Sequence, residues 1–208
     1  MRSLILVGAG GHCRAAIEVA ESSGRYNEIT IIDYKADGHT DDSVLGREVI
    51  RCSTVTKELD KKADYFISVG DNREREKIFG LLRKEGAKIA SLFHKSSIVH
   101  ESAIIGRGVF IGAMAHVGPE SRIGDGCIVN TQANIEHESE IGAFSHCAPG
   151  STICGRCTVG DLVVLGAGST TINGIKIADG AVVGAGAVVI RNISESNSVN
   201  IGVPSRGK

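Results

Sequence analysis

The sequence predicts an α/β domain with a small parallel sheet, followed by a parallel β-helix. Three observations predict it. From Val99 onward an aliphatic residue recurs every six positions. Before that point, strand-like and helix-like stretches alternate. Across the 208 residues there are 27 glycines but only 4% aromatics, a composition suited to thin repeated layers rather than one thick core.

The first element is the apolar run SLILV, which passes into a glycine turn. HCRAAIEVAESSG follows as a helix with Ala16, Ile17, Val19 and Ala20 apolar, ended by Gly24. EITIID is the second strand and DYFISVGD the third. NREREKIFGLLRKEG is the second helix, with Ile78, Leu81 and Leu82 expected on one face, and AKIASLF is the last strand. Alternation of this kind builds a small doubly wound, Rossmann-like domain, expected over residues 1–95. The junction is expected between His94 and Ile98, and the β-helix domain with its C-terminal tail over residues 96–208.

The repeat runs through Val99, Ile105, Ile111, Val117 and Ile123 and continues at the same spacing to Val189. Only Cys147 and Thr171 depart from Val, Ile or Leu. The next residue is usually glycine, as at Gly106, Gly112 and Gly118, and the fourth after it is small or β-branched, as at Ala115, Ser121 and Ala133. A period of six with two inward positions means one short strand and one turn per hexad. Three hexads close a triangular coil, and stacked coils pair as parallel strands ~4.8 Å apart. This is the pattern of a left-handed parallel β-helix, an exception to right-handed crossover. Sixteen hexads give about five coils.

Net charge is −1, and no basic stripe carries interleaved aromatics, so a nucleic-acid surface is not expected. No apolar run approaches the ~20 residues of a membrane span. The apolar start lacks a cleavage region and reads as a first strand. Four of the six cysteines fall on repeat positions: Cys127 and Cys157 at the small inward position, Cys147 at the aliphatic one, Cys154 at the glycine one. Cys154 and Cys157 form a CxxC pair without a second pair to complete four metal ligands, so structural filling is the favoured reading. A reduced, cytoplasmic protein is expected.

Two stretches carry chemistry. Gly8-Ala9-Gly10-Gly11-His12-Cys13 joins the first strand to the first helix, where glycines let a backbone approach a diphosphate. Asp33, at the end of the second strand, stands where a ribose or base contact would fall, and Gly70 is expected at the same sheet edge. The plain alternative is a structural turn, since Cys13 replaces the third glycine of a dinucleotide fingerprint. The second stretch is IEHESEIGAFSH, Ile135 to His146, with two histidines and three glutamates inside an aliphatic repeat. His137 and Glu138 fall at a turn between faces, and His146 is expected close by on the next face. Either the turn is simply solvated, or His137 is a base oriented by Glu138.

The GAGGH turn, the hexad repeat, NTQANIEHESEIGAFSHCAPG and the terminal GVPSR together resemble one family of sugar acetyltransferases. It spans the UDP-N-acetylbacillosamine-type and perosamine N-acetyltransferases and the sialic acid O-acetyltransferases. The resemblance covers essentially the whole chain and implies a cytoplasmic homotrimer that uses acetyl-CoA and no metal. It places the general base on His137, its supporting acid on Glu138, and acetyl-CoA contacts on His146, Gly155, Ala167 and Ala185. It places substrate contacts on Gly10, Gly11, His12, Asp33, Gly70 and Asn130. Asp33 is followed by Tyr34, where some members have a second acid, which leaves the nucleotide open. The expected reaction is N-acetylation of the 4-amino group of a nucleotide-linked amino-dideoxy sugar, UDP-linked for preference, in bacterial glycan biosynthesis. Direct transfer is expected, with no acyl-enzyme, because Cys147 points into the prism. The alternatives are sialic acid O-acetylation, a zinc carbonic anhydrase, for whose three converging histidines His100, His116, His137 and His146 do not offer a convincing set by spacing, and a non-catalytic scaffold or NAD-binding module.

Overall fold

The computed structural model describes residues 2–34, 42–55 and 59–207. The chain divides into two compact units, Met1–Lys95 and Ser96–Lys208.

In the first unit, β1 (Ser3–Val7), α1 (Gly11–Ser22), β2 (Glu28–Asp33), β3 (Ser43–Val44), β4 (Arg47–Arg51), β5 (Asp64–Ile67), α2 (Asn72–Lys84) and β6 (Lys88–Ile89) follow in order. The sheet order is β3-β4-β2-β1-β5-β6. The pairings β1–β2, β2–β4, β1–β5 and β5–β6 are parallel, and β3–β4 is an antiparallel hairpin at the edge. Strand β1 lies between β2 and β5, so the chain changes direction across the sheet there, and a crevice opens at the carboxyl ends of these strands. Leu4, Leu6, Ile31, Tyr65, Phe66 and Ile67 fill the core.

Three sequence expectations change. The β3–β4 hairpin was not expected, and DYFI is the fifth strand rather than the third. AKIASLF divides into β6 and a separate short strand at Leu92–Phe93. Helix α2 buries Arg75, Ile78, Phe79 and Leu82, while Leu81 turns outward at 38% exposure. The stripe is set by Arg75, one turn before Ile78, whose guanidinium is tied inward and fixes the helix's rotation.

In the second unit, every hexad gives a two-residue strand. The first sheet stacks Ile98–Val99, His116–Val117, Asn134–Ile135, Thr152–Ile153, Thr170–Thr171 and Val188–Val189. The second stacks Ile104–Ile105, Arg122–Ile123, Glu140–Ile141, Thr158–Val159 and Lys176–Ile177. The third runs from Phe110–Ile111 through Ile128–Val129, His146–Cys147, Val164–Leu165 and Val182–Val183 to the Val199–Ile201 strand. Register is in steps of one coil: Val117 opposes Ile135, and Ile135 opposes Ile153. These three side chains are fully buried, and each such burial contributes about 1.5–3 kcal/mol. The unit is a left-handed parallel β-helix.

The small inward residues also satisfy buried carbonyls. Ser121, Ser139 and Ser145 donate to the carbonyls of Glu136, Cys154 and Gly160 on the following coil, at 2.8–3.1 Å. These three hydroxyls inside the prism therefore bond between coils, whereas the buried Ser151 Oγ has no hydrogen-bond partner among the described residues.

Between the sheets the backbone turns through left-handed residues at fixed positions. One corner carries Met114, Gln132, Gly150, Gly168 and Gly186, the next Glu120, Glu138, Arg156 and Gly174, the third Gly108, Gly126, Phe144, Leu162 and Gly180, all with φ between 55° and 72°. Chain order places the first sheet between the first and second corners, the second sheet between the second and third, and the third sheet between the third and first.

Candidate active site

The second corner holds the dense ionisable stretch. The His137 peptide is anchored by Arg156, whose N–H donates to its carbonyl at 2.9 Å, and the N–H of Glu138 donates to Pro119 on the preceding coil, also at 2.9 Å. Glu138 then adopts φ 58°, which turns its carboxylate beside the neighbouring ring. Its Oε2 lies 2.9 Å from His137 Nδ1, and the same oxygen accepts from Arg156 Nε at 2.9 Å. The hydrogen bond from His137, and then that from Arg156, hold the Glu138 carboxyl below its ordinary range. An ionised carboxylate only accepts, so Nδ1 carries the proton and the neutral ring keeps its lone pair on Nε2. The side chains are 43% and 41% exposed, open to a substrate.

The ring lies against Gly155. A Cβ there would stand 2.5 Å from His137 Cε1 and 2.6 Å from Nε2, so any side chain would drive the imidazole away. The position expected to contact acetyl-CoA is thus also the seat of the base.

Asn130 and His146 sit together elsewhere. Asn130 Nδ2 donates to His146 Nε2 at 3.2 Å. His146 is on the third sheet, the face opposite the second corner. This corrects the expectation that it lies close to His137 on the next face: nine residues carry the chain through the second sheet and the third corner before it is reached. Ala167 and Ala185 precede the first-corner glycines Gly168 and Gly186. One chain therefore places the expected site residues in two groups, His137, Glu138 and Gly155 at one corner, and Asn130, His146, Ala167 and Ala185 around the opposite face and its far corner.

Cys147 is buried, and desolvation, then Cys127, pushes its thiol up, which makes it a poor nucleophile. His100 bonds Ser102 and His116 bonds Asn134. Among the described residues no three His, Cys, Asp or Glu side chains are grouped to hold a metal ion, and no helix is long and apolar enough to cross a membrane.

In the first unit, the residues singled out by sequence line the crevice at the ends of β1, β2 and β5. Gly8 has φ +105°, and a Cβ on it would meet Val69 at 2.6 Å. Gly10 caps α1 and Gly11 begins it, and a Cβ on either meets no protein atom within 4 Å, so the space in front of this helix end is open. A Cβ on Gly70 would stand 4.0 Å from the Cβ of His12. Asp33 is buried and paired with Arg51 Nη1 at 3.2 Å, so a ribose hydroxyl would share its carboxylate with that ion pair. Tyr34 donates to Glu74 on α2.

Two arginines escaped sequence reasoning. Buried Arg75 donates to the carbonyls of Val69 and Gly70 at 3.1 and 2.9 Å and to Asn72 Oδ1 at 2.7 Å, fixing the β5–α2 loop beside the glycine turn. Arg156 stands 18 residues after Glu138, one coil on, and that spacing was the available signal.

Hexad coils with a histidine–carboxylate dyad on a corner define the class, an acyltransferase of the hexapeptide-repeat kind. Residues 3–82 match the PglD N-terminal domain, and residues 102–137 match the bacterial transferase hexapeptide (six repeats). The acetyltransferase domain of PglB from Neisseria gonorrhoeae is 33% identical, with TM-score 0.94 and full coverage of both chains. A second structure of that domain contains acetyl coenzyme A and superposes with TM-score 0.93, covering 100% of this chain and 99% of the other at 33% identity. PerB from Caulobacter crescentus, in complex with CoA and GDP-perosamine, is 32% identical with TM-score 0.92, over 100% of this chain and 98% of its own. The chain belongs to the family of acetyl-CoA-dependent sugar acetyltransferases that contains these proteins.

Proposed function

We propose that the protein transfers the acetyl group of acetyl-CoA to the 4-amino group of a nucleotide-linked amino-dideoxy sugar, UDP-linked as first choice, in a cytoplasmic step of bacterial glycan biosynthesis. The observation that carries this is the dyad: Nδ1 of His137 is committed to Glu138, which leaves Nε2 as a base on an open corner. The free amine of the sugar attacks the thioester carbonyl, and Nε2 takes the proton from nitrogen as the C–N bond forms. The tetrahedral intermediate collapses with loss of the C–S bond, and the CoA thiolate is protonated as it leaves. A backbone N–H on the coil stabilises the oxyanion, and His146 positions the thioester.

The open glycine turn is a seat for the diphosphate, with Gly10, Gly11, His12, Gly70 and Asp33 around it. Relatives crystallised with acetyl coenzyme A, and with CoA and GDP-perosamine, support both substrates. The two separated parts of the site support a homotrimer in which the second corner of one copy faces the Asn130–His146 side of the next, with acetyl-CoA between β-helices.

The test is acetyl-CoA-dependent thiol release with UDP-, GDP- and dTDP-linked 4-amino sugars, and with free sialic acid. The proposal expects turnover on one of the nucleotide amino sugars. Faster acetylation of free sialic acid than of any nucleotide sugar replaces it with O-acetylation.

A further inference from the structure

The corner around His137 gathers three carboxylates. Glu138 bonds the ring, Glu136 precedes it on the same coil and accepts from Asn134, and Glu120 occupies the same corner one coil earlier. His116 is tied to Asn134, and the Cys154 thiol, pushed up by burial, then by Cys157 and Glu136, lies on the following coil. In general a carboxylate beside an imidazole favours its protonated form, which a general base cannot carry into the reaction. The cation that pairs with one of these three carboxylates, Glu138, is Arg156.

Its placement follows from the coil. Arg156 has the same corner position as Glu138 with nearly the same φ, 60° against 58°. The two side chains leave the prism one coil apart, a spacing of ~4.8 Å that a guanidinium bridges directly. The Arg156 N–H binds the His137 carbonyl, and Nε binds the oxygen of Glu138 that receives His137 Nδ1. Its side chain is 70% exposed, so packing does not hold it there. Gly174 fills the same corner one coil on, so the left-handed turn does not require an arginine.

We propose that Arg156 is a positioning residue of the base dyad, pinning Glu138 Oε2 for His137 and opposing protonation of the pair. The inference rests on the acetyltransferase reading, and its test separates the two.

Arg156→Gln and Arg156→Lys are compared with wild type in the full chain, and Gln132 at φ 57° shows that glutamine fits such a corner. The first measurement is the pH dependence of kcat/KM for the nucleotide amino sugar. The second is the pH titration of the His137 ring resonances without substrate, assigned by their loss in His137→Gln. The substrate amine titrates alike with every variant, so differences between profiles belong to the enzyme. Removing one charge at solvent-exposed range moves both midpoints of Arg156→Gln to higher pH by about half a unit, and Arg156→Lys returns most of the shift. A rate that falls equally at every pH, with both midpoints unmoved, overturns the inference and leaves Arg156 a structural residue. So does a variant indistinguishable from wild type. A wild-type protein that acetylates no nucleotide amino sugar defeats the acetyltransferase reading alone, because the ring titration still decides the role of Arg156.

Discussion

Among the contacts that hold His137 are Glu138 at Nδ1, the Arg156 N–H at its carbonyl, and Gly155 beneath the ring. Positioned general bases typically contribute ~10² to 10⁴ in rate. His137→Ala is expected to lose that much turnover while its circular dichroism and size stay unchanged, because the ring is a surface group. Glu138→Gln orients the ring without the charge and should lose less. Retention of more than about a tenth of wild-type activity by His137→Ala is incompatible with general-base catalysis. Gly155→Ala tests the seat beneath the ring. The added methyl displaces the imidazole, and a misplacement of ~1 Å can cost up to ~10²-fold, so kcat should fall by roughly ten- to a hundredfold. If Gly155 served only the pantetheine arm, KM for acetyl-CoA would rise and kcat would hold, and measuring both parameters separates the roles.

At the scale of elements, two neighbouring glycines should behave oppositely. Gly8→Ala puts a side chain at φ +105° and into Val69, and should destabilise the first unit by about 1–3 kcal/mol in denaturant unfolding. A Cβ at Gly11 meets no protein atom within 4 Å, so in Gly11→Leu the fold should persist while KM for the sugar nucleotide rises about tenfold or more and KM for acetyl-CoA barely moves. An unchanged nucleotide KM would remove the diphosphate from this turn. What the sequence made legible follows the same division. The hexads were readable because each coil repeats one pattern of inward aliphatic and small residues, and the glycine turn because no other residue fits Gly8. The β3–β4 hairpin was not, because Ser43–Val44 and Arg47–Arg51 lie in a polar stretch without a clear alternation. Leu81 and Phe79 both suit a helical stripe beginning at Ile78, and the choice between them was made by buried Arg75, a residue type usually assigned to solvent. Arg156 was missed for a related reason. Its meeting with Glu138 depends on coil register across 18 residues, not on local spacing.

At the scale of the whole molecule, the question is why a single chain carries His137 and His146 on opposite sides of its prism. Side chains that must flank one thioester cannot do so through the hydrophobic interior. The proposed homotrimer would solve this, since each copy would offer its second corner to the far side of the next and every site would be built from two chains. The arrangement predicts complementation. His137→Ala removes the base but keeps the Asn130–His146 part, and His146→Ala does the reverse. Each variant alone should be nearly inactive. If the two are unfolded, mixed in equal amounts and refolded together, a site is intact wherever a chain with His137 borders a chain with His146, which random assembly provides at about a quarter of the sites. The mixture should therefore regain about a quarter of the activity of wild type refolded in the same way. Both parts acting within one chain would leave the mixture as inactive as its components, and light scattering from an active monomer at micromolar concentration would lead to the same conclusion.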